Sequence, residues 1–362
     1  MQTTDHCFFT RITSSLLSFL AFSLTAHAQI PGCTDAAANN YNAAATTNNG
    51  SCTYSNASIN PKLNSNLNSA VNETSGLIWW QKKVWTHNDS GGDPAFYSIN
   101  KTTGDTTKTI MLTNAINVDW EDIAQDDKYI YVGDFGNNAN GNRTDLKVYR
   151  IKKSDTKNKT AVTASVIDFS YSDQTDFSAT GSNHTNFDCE AMIAYGDSLF
   201  LFSKDWIDNK TRLYKLPKLP GTYTAENIDE LNVNGLITGA DIITDKKVIV
   251  LTGYDAAVKP FIYLLYDFTG NQFFDANKRK ISINQNFTQV EGICAINDTT
   301  FYISNERLQK FITVPAKLQT IKLGAFLNPY YTALSSKHSS RLPLKVYAFK
   351  PVHSKDAGLR NK

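Results

Sequence analysis

The chain has 362 residues, with 36 Lys and Arg against 34 Asp and Glu, for a formal net charge of +2. A balance this close to neutral, with no basic stripe interleaved with aromatics, argues against nucleic acid or acidic lipid as a partner. Of the six histidines only His87 and His184 fall within residues 73–323, too few for a multi-histidine zinc site, and no nucleophile elbow, Walker loop or HExxH helix is present.

Residues 1–28 read as a signal peptide. Arg11 supplies a positive charge, residues 16–24 a short apolar run, and Ala26-His-Ala28 the small residues a signal peptidase requires. The apolar run is far shorter than the roughly 20 residues needed to span a bilayer. No later stretch is apolar enough to cross one, so the sequence predicts an exported protein with no transmembrane segment, placed in the periplasm, on the cell surface or in the medium. Cys7 leaves with the signal, and Cys33, Cys52, Cys189 and Cys294 remain. An even count in an exported chain permits two disulfides. Cys33 and Cys52 share one compact segment and are expected to pair. Cys189 and Cys294 read either as buried thiols or as a channel-lining pair.

Residues 29–54 form a small module around Cys33 and Cys52, read as a spacer or presentation element. Closing its loop contributes about 3 kcal/mol in the chain-entropy model, and a segment with so small a core needs that staple. Residues 55–72, polar and rich in Asn and Ser, are a linker or a first outer strand. From Glu73 the chain repeats. Short apolar strands begin beside an acid at Glu73, Glu121-Asp122, Glu190, Asp241 and Glu291. A period near 50 residues with four short strands per unit predicts a β-propeller, one blade per repeat. The repeats span 73–323 and favour five blades. The longer second interval holds a polar stretch, 170–186, read as a loop lying over one face of the disc. From Gly324 to 362 the pattern breaks into a basic tail with a possible closing strand over 342–349, which leaves a six-bladed ring as the alternative.

The repeat brings carboxylates to equivalent places near the axis. Glu73, Glu121, Asp122, Glu190, Asp241 and Glu291 form one ring, and strand ends carrying Asp89, Asp134, Asp205, Asn305 and Glu306 form a second. Carboxylates sharing a channel repel unless a cation neutralises them or some take up protons. Hard oxygen ligands at this density suit Ca²⁺ or Mg²⁺. The competing reading has these acids pairing with loop amides and hydroxyls. Asp134-Phe-Gly-Asn-Asn138 equally fits Asx-turns, with Arg143 and Asp145 bracing the loop. His87, at the end of a strand in the first repeat, is the one candidate acid/base.

Two resemblances follow from particular strings. Residues 32–54, with Gly32-Cys-Thr-Asp35, Asn40-Tyr-Asn42 and Gly50-Ser-Cys-Thr-Tyr54, resemble a short module of secreted Bacteroidetes proteins; Asn48 and Asn49 stand where related modules carry acids, against calcium binding there. Trp120-Glu-Asp-Ile-Ala124, Tyr129-Ile-Tyr-Val-Gly-Asp134 and Asp145-Leu-Lys-Val-Tyr149 resemble uncharacterised secreted propellers of that group. The repeat starts also resemble propellers of the esterase-like phytase and SdiA-regulated type and, more distantly, regucalcin–gluconolactonase and paraoxonase propellers. These groups imply a divalent metal, usually calcium, on the channel axis. The expected function is a binding or surface-interaction protein with a structural Ca²⁺, its ligand a carbohydrate or phosphoester. The alternative is a metal-dependent hydrolase of phosphoesters or lactones using Glu121, Glu190, Asp241 and Glu291, with His87 or an acid as base.

Overall fold

The computed structural model describes residues 29–309 and 313–339; the signal peptide, the strand expected over 342–349 and His353 lie outside them, and the side chain of His338 is not described. The chain is mostly β with one helix. Five antiparallel meanders succeed one another. The first sheet runs Thr74–Trp80, Lys83–Asn88, Ala95–Ile99 and Thr106–Leu112, the second Trp120–Gln125, Tyr129–Asp134, Lys147–Lys152 and Ser165–Tyr171. Cys189–Tyr195, Ser198–Ser203, Lys210–Pro217 and Gly221–Asn232 form the third, and Leu236–Ile243, Val248–Tyr254, Pro260–Tyr266 and Asn277–Ile283 the fourth. The fifth takes Val290–Asn297, Thr300–Asn305 and Lys317–Lys322 from the end of the chain and Lys62–Asn66 from its beginning.

The first strands of the five sheets touch in a closed cycle, each packed beside the next and the fifth beside the first. The second strands beside them are covered on both faces and read as unbroken apolar runs rather than alternating ones. Val248–Tyr254 is buried throughout, and so is Leu199-Phe-Leu-Phe202. Cores lie between successive sheets, for instance Trp85, Phe96, Trp120 and Tyr149 between the first and second. At the outer rim the fourth strands of the second and third sheets pair in parallel, Ile167 with Gly221 through Tyr171 with Ala225, merging the two into one eight-stranded sheet.

Lys62–Asn66 closes the ring by pairing with Lys317–Lys322, so the circle is fastened by the beginning of the chain and not by its tail. The described part of the tail is helical, Gly324–Ser339, not strand. Leu323, Phe326, Leu327, Tyr330, Tyr331 and Leu334 pack against the fourth and fifth sheets at three- and four-residue spacing, which is the apolar stripe of a helix.

The stapled segment is docked on the body. Cys33 and Cys52 are bonded. Asp35, buried, accepts hydrogen bonds from the hydroxyls of Tyr54 at 2.7 Å and Tyr266 at 2.5 Å. Ser58–Ile59 then adds to the outer edge of the fourth sheet. A buried carboxylate shared by two tyrosines ties the segment to a strand more than 200 residues away, which a freely jointed spacer would not do. Cys189 and Cys294 are buried and unbonded. Among the described residues no helix is long and apolar enough to cross a membrane.

Candidate metal centre

Every first strand carries a β-bulge near its start. In the second sheet Trp120 faces Asp134 and Asp122 faces Gly133, leaving Glu121 without a partner. The same slip leaves Glu190 between Cys189 and Ala191, Thr238 between Ile237 and Gly239, and Glu291 between Val290 and Gly292. In the first sheet the slip between Thr74 and Leu77 leaves Ser75 in that place. Bulges re-aim a side chain out of the pleat, and these five positions, Ser75, Glu121, Glu190, Thr238 and Glu291, form one ring. A second ring follows from register: the residue after the second-strand partner of the pair that precedes each bulge is Asp89, Phe135, Lys204, Tyr254 or Glu306.

The two rings meet in a cavity of about 190 Å³ at one end of the axis. Glu73, Asp89, Glu121, Glu190, Glu291 and Glu306 line it, with Lys204 the one basic lining residue. Asp119 and Asp188 complete the set beside Glu121. One ligand oxygen from each of Asp89, Asp119 and Glu121 lies within 4.8 Å of the others, and the same holds for Glu121, Asp188 and Glu190. Glu121 belongs to both groups. It is buried, and its Oε1 has no hydrogen-bond partner. A Cβ on Gly136 would collide with that oxygen and with Asp119 Oδ2, so the absence of a side chain there keeps the oxygens accessible.

Burial, reinforced by neighbouring carboxylates, raises most of these groups. Asp119 is pushed up to about 6, Asp89 and Glu306 to about 7 and Glu291 to about 8. Glu121 and Glu190 rise well above the ordinary carboxyl range, chiefly by desolvation. Asp188 rises less far for its burial, because Lys204, the Asn137 amide at 2.6 Å and the Trp206 indole at 2.8 Å favour its charge. Burial works against the Lys204 ammonium, but Glu190 at 2.8 Å and the other nearby acids outweigh it. Among the described residues these eight carboxyl groups outnumber the basic groups acting on them, Lys204 and, for Asp119, Arg143, so the cluster keeps excess charge or protons.

Of the eight residues expected to hold a metal, Glu73, Glu121, Glu190 and Glu291 line the cavity, while Asp122, Asp134, Asp241 and Asn305 do not. Asp122 and Asp241 point the other way along the strand and clamp neighbouring sheets: Asp122 accepts from the amides of Ile123 and Met192, Asp241 from those of Ile242 and Ala295. Asp134 pairs with Arg143 at 2.8 Å, and Arg143 also binds Asp145 and the Gly136 carbonyl, bracing the 134–138 turn. Asn305 donates to the carbonyls of Glu306 and Pro315. Asp205, also expected near the axis, is held by Arg212. His87 is fully buried beside the edge of Trp120, its Nδ1 against the Asn88 carbonyl, and burial lowers it to about 4. It does not line the cavity.

Sequence reasoning missed Asp119, Asp188, Tyr254 and Gln289. Three of them share a signal, a two-residue step before the bulge in Asp119-Trp-Glu121, Asp188-Cys-Glu190 and Gln289-Val-Glu291; Tyr254 has none. The loop over 170–186 does reach the mouth: Asn183 lines the cavity, and its amide donates to the Asn138 carbonyl. A larger groove of about 610 Å³ on the outer surface, beside Asp126, is internally satisfied, since Asp126 already binds Tyr131 and Lys218.

No family model and no curated protein matches this sequence. Among solved structures the chain is similar to one in the mitotic checkpoint complex, at 11% identity and a TM-score of 0.32. That match covers 68% of this chain and 63% of the other, so the chain spans less than two thirds of that neighbour's length. It is also similar to a protein assigned as a 6-phosphogluconolactonase from Bacteroides uniformis ATCC 8492, at 11% identity and a TM-score of 0.34, covering 70% of this chain and 74% of that one. These are distant likenesses of a propeller-like strand arrangement and say nothing of chemistry.

Proposed function

We propose that the protein is an exported, five-bladed propeller that binds a divalent cation, calcium, at the mouth of its axis and uses that end of the disc as a binding surface. One observation carries the reading: Glu121 is buried, belongs to both carboxylate triads, and its Oε1 has no partner. An uncompensated buried carboxylate among like charges is costly, and a cation with oxygen ligands removes the cost. Asp89, Asp119, Asp188 and Glu190 are the other residues that would hold it, and the all-oxygen set favours calcium or magnesium over zinc. The Cys33–Cys52 bond fits an oxidising compartment.

Calorimetric titration of the mature chain with calcium tests this, with Glu121→Gln in parallel. Saturable binding lost in the variant supports the reading; a wild type indifferent to calcium and magnesium sinks it. A metal-dependent hydrolase is the second reading, favoured by the 190 Å³ left between the acids, which adjoins an open cleft. There a carboxylate would serve as base, since His87 does not line the cavity. Turnover of phosphoester or lactone substrates that requires calcium would distinguish it.

A further inference from the structure

Both carboxylate triads lie on the second and third sheets and the Asp89 corner, and leave Glu291 and Glu306 of the fifth sheet out. Glu291 is 7% exposed, lines the cavity, and its Oε2 has no partner. Lys204 is bonded to Glu190, and its charge is shared with Glu291 and Glu306 without a hydrogen bond to either. On the flank of these two acids the cavity adjoins a second, larger opening of about 570 Å³. The two share Asn183, Trp206, Tyr254 and Gln289 as common wall. Beyond that wall the cleft is apolar, with Leu236, Val258, Leu308 and Phe287, the last 58% exposed.

A largely apolar cleft, with Asp255 on its wall and beyond it two acids that share a single lysine with Glu190, has the charge and shape of a receptor for a cationic amphiphile. The protein itself supplies the precedent. The Lys204 ammonium sits 4.7 Å from the Trp206 ring and 5.4 Å from the Tyr254 ring, between aromatic faces and an acid. That is the environment in which organic ammonium ions are recognised. The negative faces of two rings and the surplus carboxylates disfavour an anionic head, and a neutral donor could pair with the Glu291 oxygen only without charge assistance.

We propose that this cleft binds an organic amine, its ammonium directed to Glu291 and Glu306 and its apolar body along Leu236, Phe287 and Leu308. The site is separate from the calcium triads and does not require them to be filled. Propensity to accept the ammonium rests on charge, while the cleft wall selects an aromatic or short aliphatic body of a few carbons.

The probe is 2-phenylethylammonium, titrated calorimetrically into the mature chain in chelator and again in saturating calcium, with 2-phenylethanol and 3-phenylpropionate as neutral and anionic counterparts. Saturable one-to-one binding of the amine is expected in chelator, at least tenfold tighter than the alcohol, with no binding of the carboxylate. Glu291→Gln and Glu306→Gln should each weaken the amine by about tenfold, the scale of one desolvated charge-assisted contact, and Phe287→Ala by severalfold, with unchanged melting confirming that the variants fold. An alcohol that binds as well as the amine, an amine unaffected by both carboxyl substitutions, or no saturable amine binding would each overturn the proposal. Amine binding in a protein that takes up no calcium would leave this inference standing and remove only the cation reading.

Discussion

Glu121 and Asp122 are consecutive, buried and acidic, yet they live in opposite circumstances. Asp122 accepts two backbone amides, one from its own strand and one from the next sheet. Glu121, displaced by the bulge, faces other carboxylates with an oxygen that binds nothing. Asp241 repeats the first situation between the fourth and fifth sheets, and Glu291 the second. A buried carboxylate saturated by backbone donors holds sheets together. One without donors, among its own kind, is an invitation to a ligand. Burial alone does not separate them; the partner count does.

The sharpest break of this contrast is Asp122→Ala. It strands two buried amides, each costing about 1–3 kcal/mol, so urea unfolding should register a loss of about 2–6 kcal/mol whether or not calcium is present. A variant as stable as the wild type would mean that Asp122 is no clamp.

Glu121→Gln should do the reverse. In chelator its stability should equal or exceed the wild type, because like-charge repulsion is relieved, while calcium affinity falls about tenfold or more as the ligand charge drops. Destabilisation without loss of calcium affinity would exchange the roles assigned to the two residues.

Gly136→Ala sharpens the comparison from the far side. Its methyl must displace Glu121 Oε1 or Asp119 Oδ2, so a severalfold loss of calcium affinity is expected with all acids still present. Unchanged binding would show that those oxygens are not ligands.

The smallest effect is in pH. Asp89, Asp119, Glu291 and Glu306 titrate near 7, 6, 8 and 7 in the folded chain, above the ordinary 3.8 to 4.5. Across that window the folded protein holds protons the unfolded one has lost, so stability is greatest on the acid side and falls as pH rises through the folded values. His87, lowered to about 4 from 6.5, acts oppositely, but only below pH 6.5. Between pH 6.5 and 8.5 the carboxyl groups are left to act, and the urea midpoint in chelator should decline, with calcium flattening the slope. A midpoint that climbs with pH in chelator would contradict the protonated cluster.

Much of the architecture was legible because blades repeat. The apolar runs Tyr129-Ile-Tyr-Val132, Leu199-Phe-Leu-Phe202 and Val248-Ile-Val-Leu251 recur at intervals that only a repeated sheet explains, and each is a buried strand. The helix was also written in the chain, as Leu323, Phe326, Leu327, Tyr330, Tyr331 and Leu334, but a basic, irregular tail obscured the periodicity. The site was legible only in part. Counting the first acid of each repeat aligned Glu73 and Asp241 with Glu121, whereas register aligns Ser75 and Thr238 with it. A bulge shifts one strand by a residue and reverses which face a side chain takes, and no local pattern marks where it falls.

Composition and periodicity were therefore enough for strand content, repeat length and the stapled segment, since these depend on neighbours a few residues apart. Which acids converge, which are satisfied and which stand beside an apolar cleft depended on register between strands far apart in sequence. Asp122 meets the Met192 amide across 70 residues, and Asp35 meets Tyr266 across 231. Hydrogen-bond saturation is a property of the partner as much as of the residue, and only the closed ring of sheets supplies the partner.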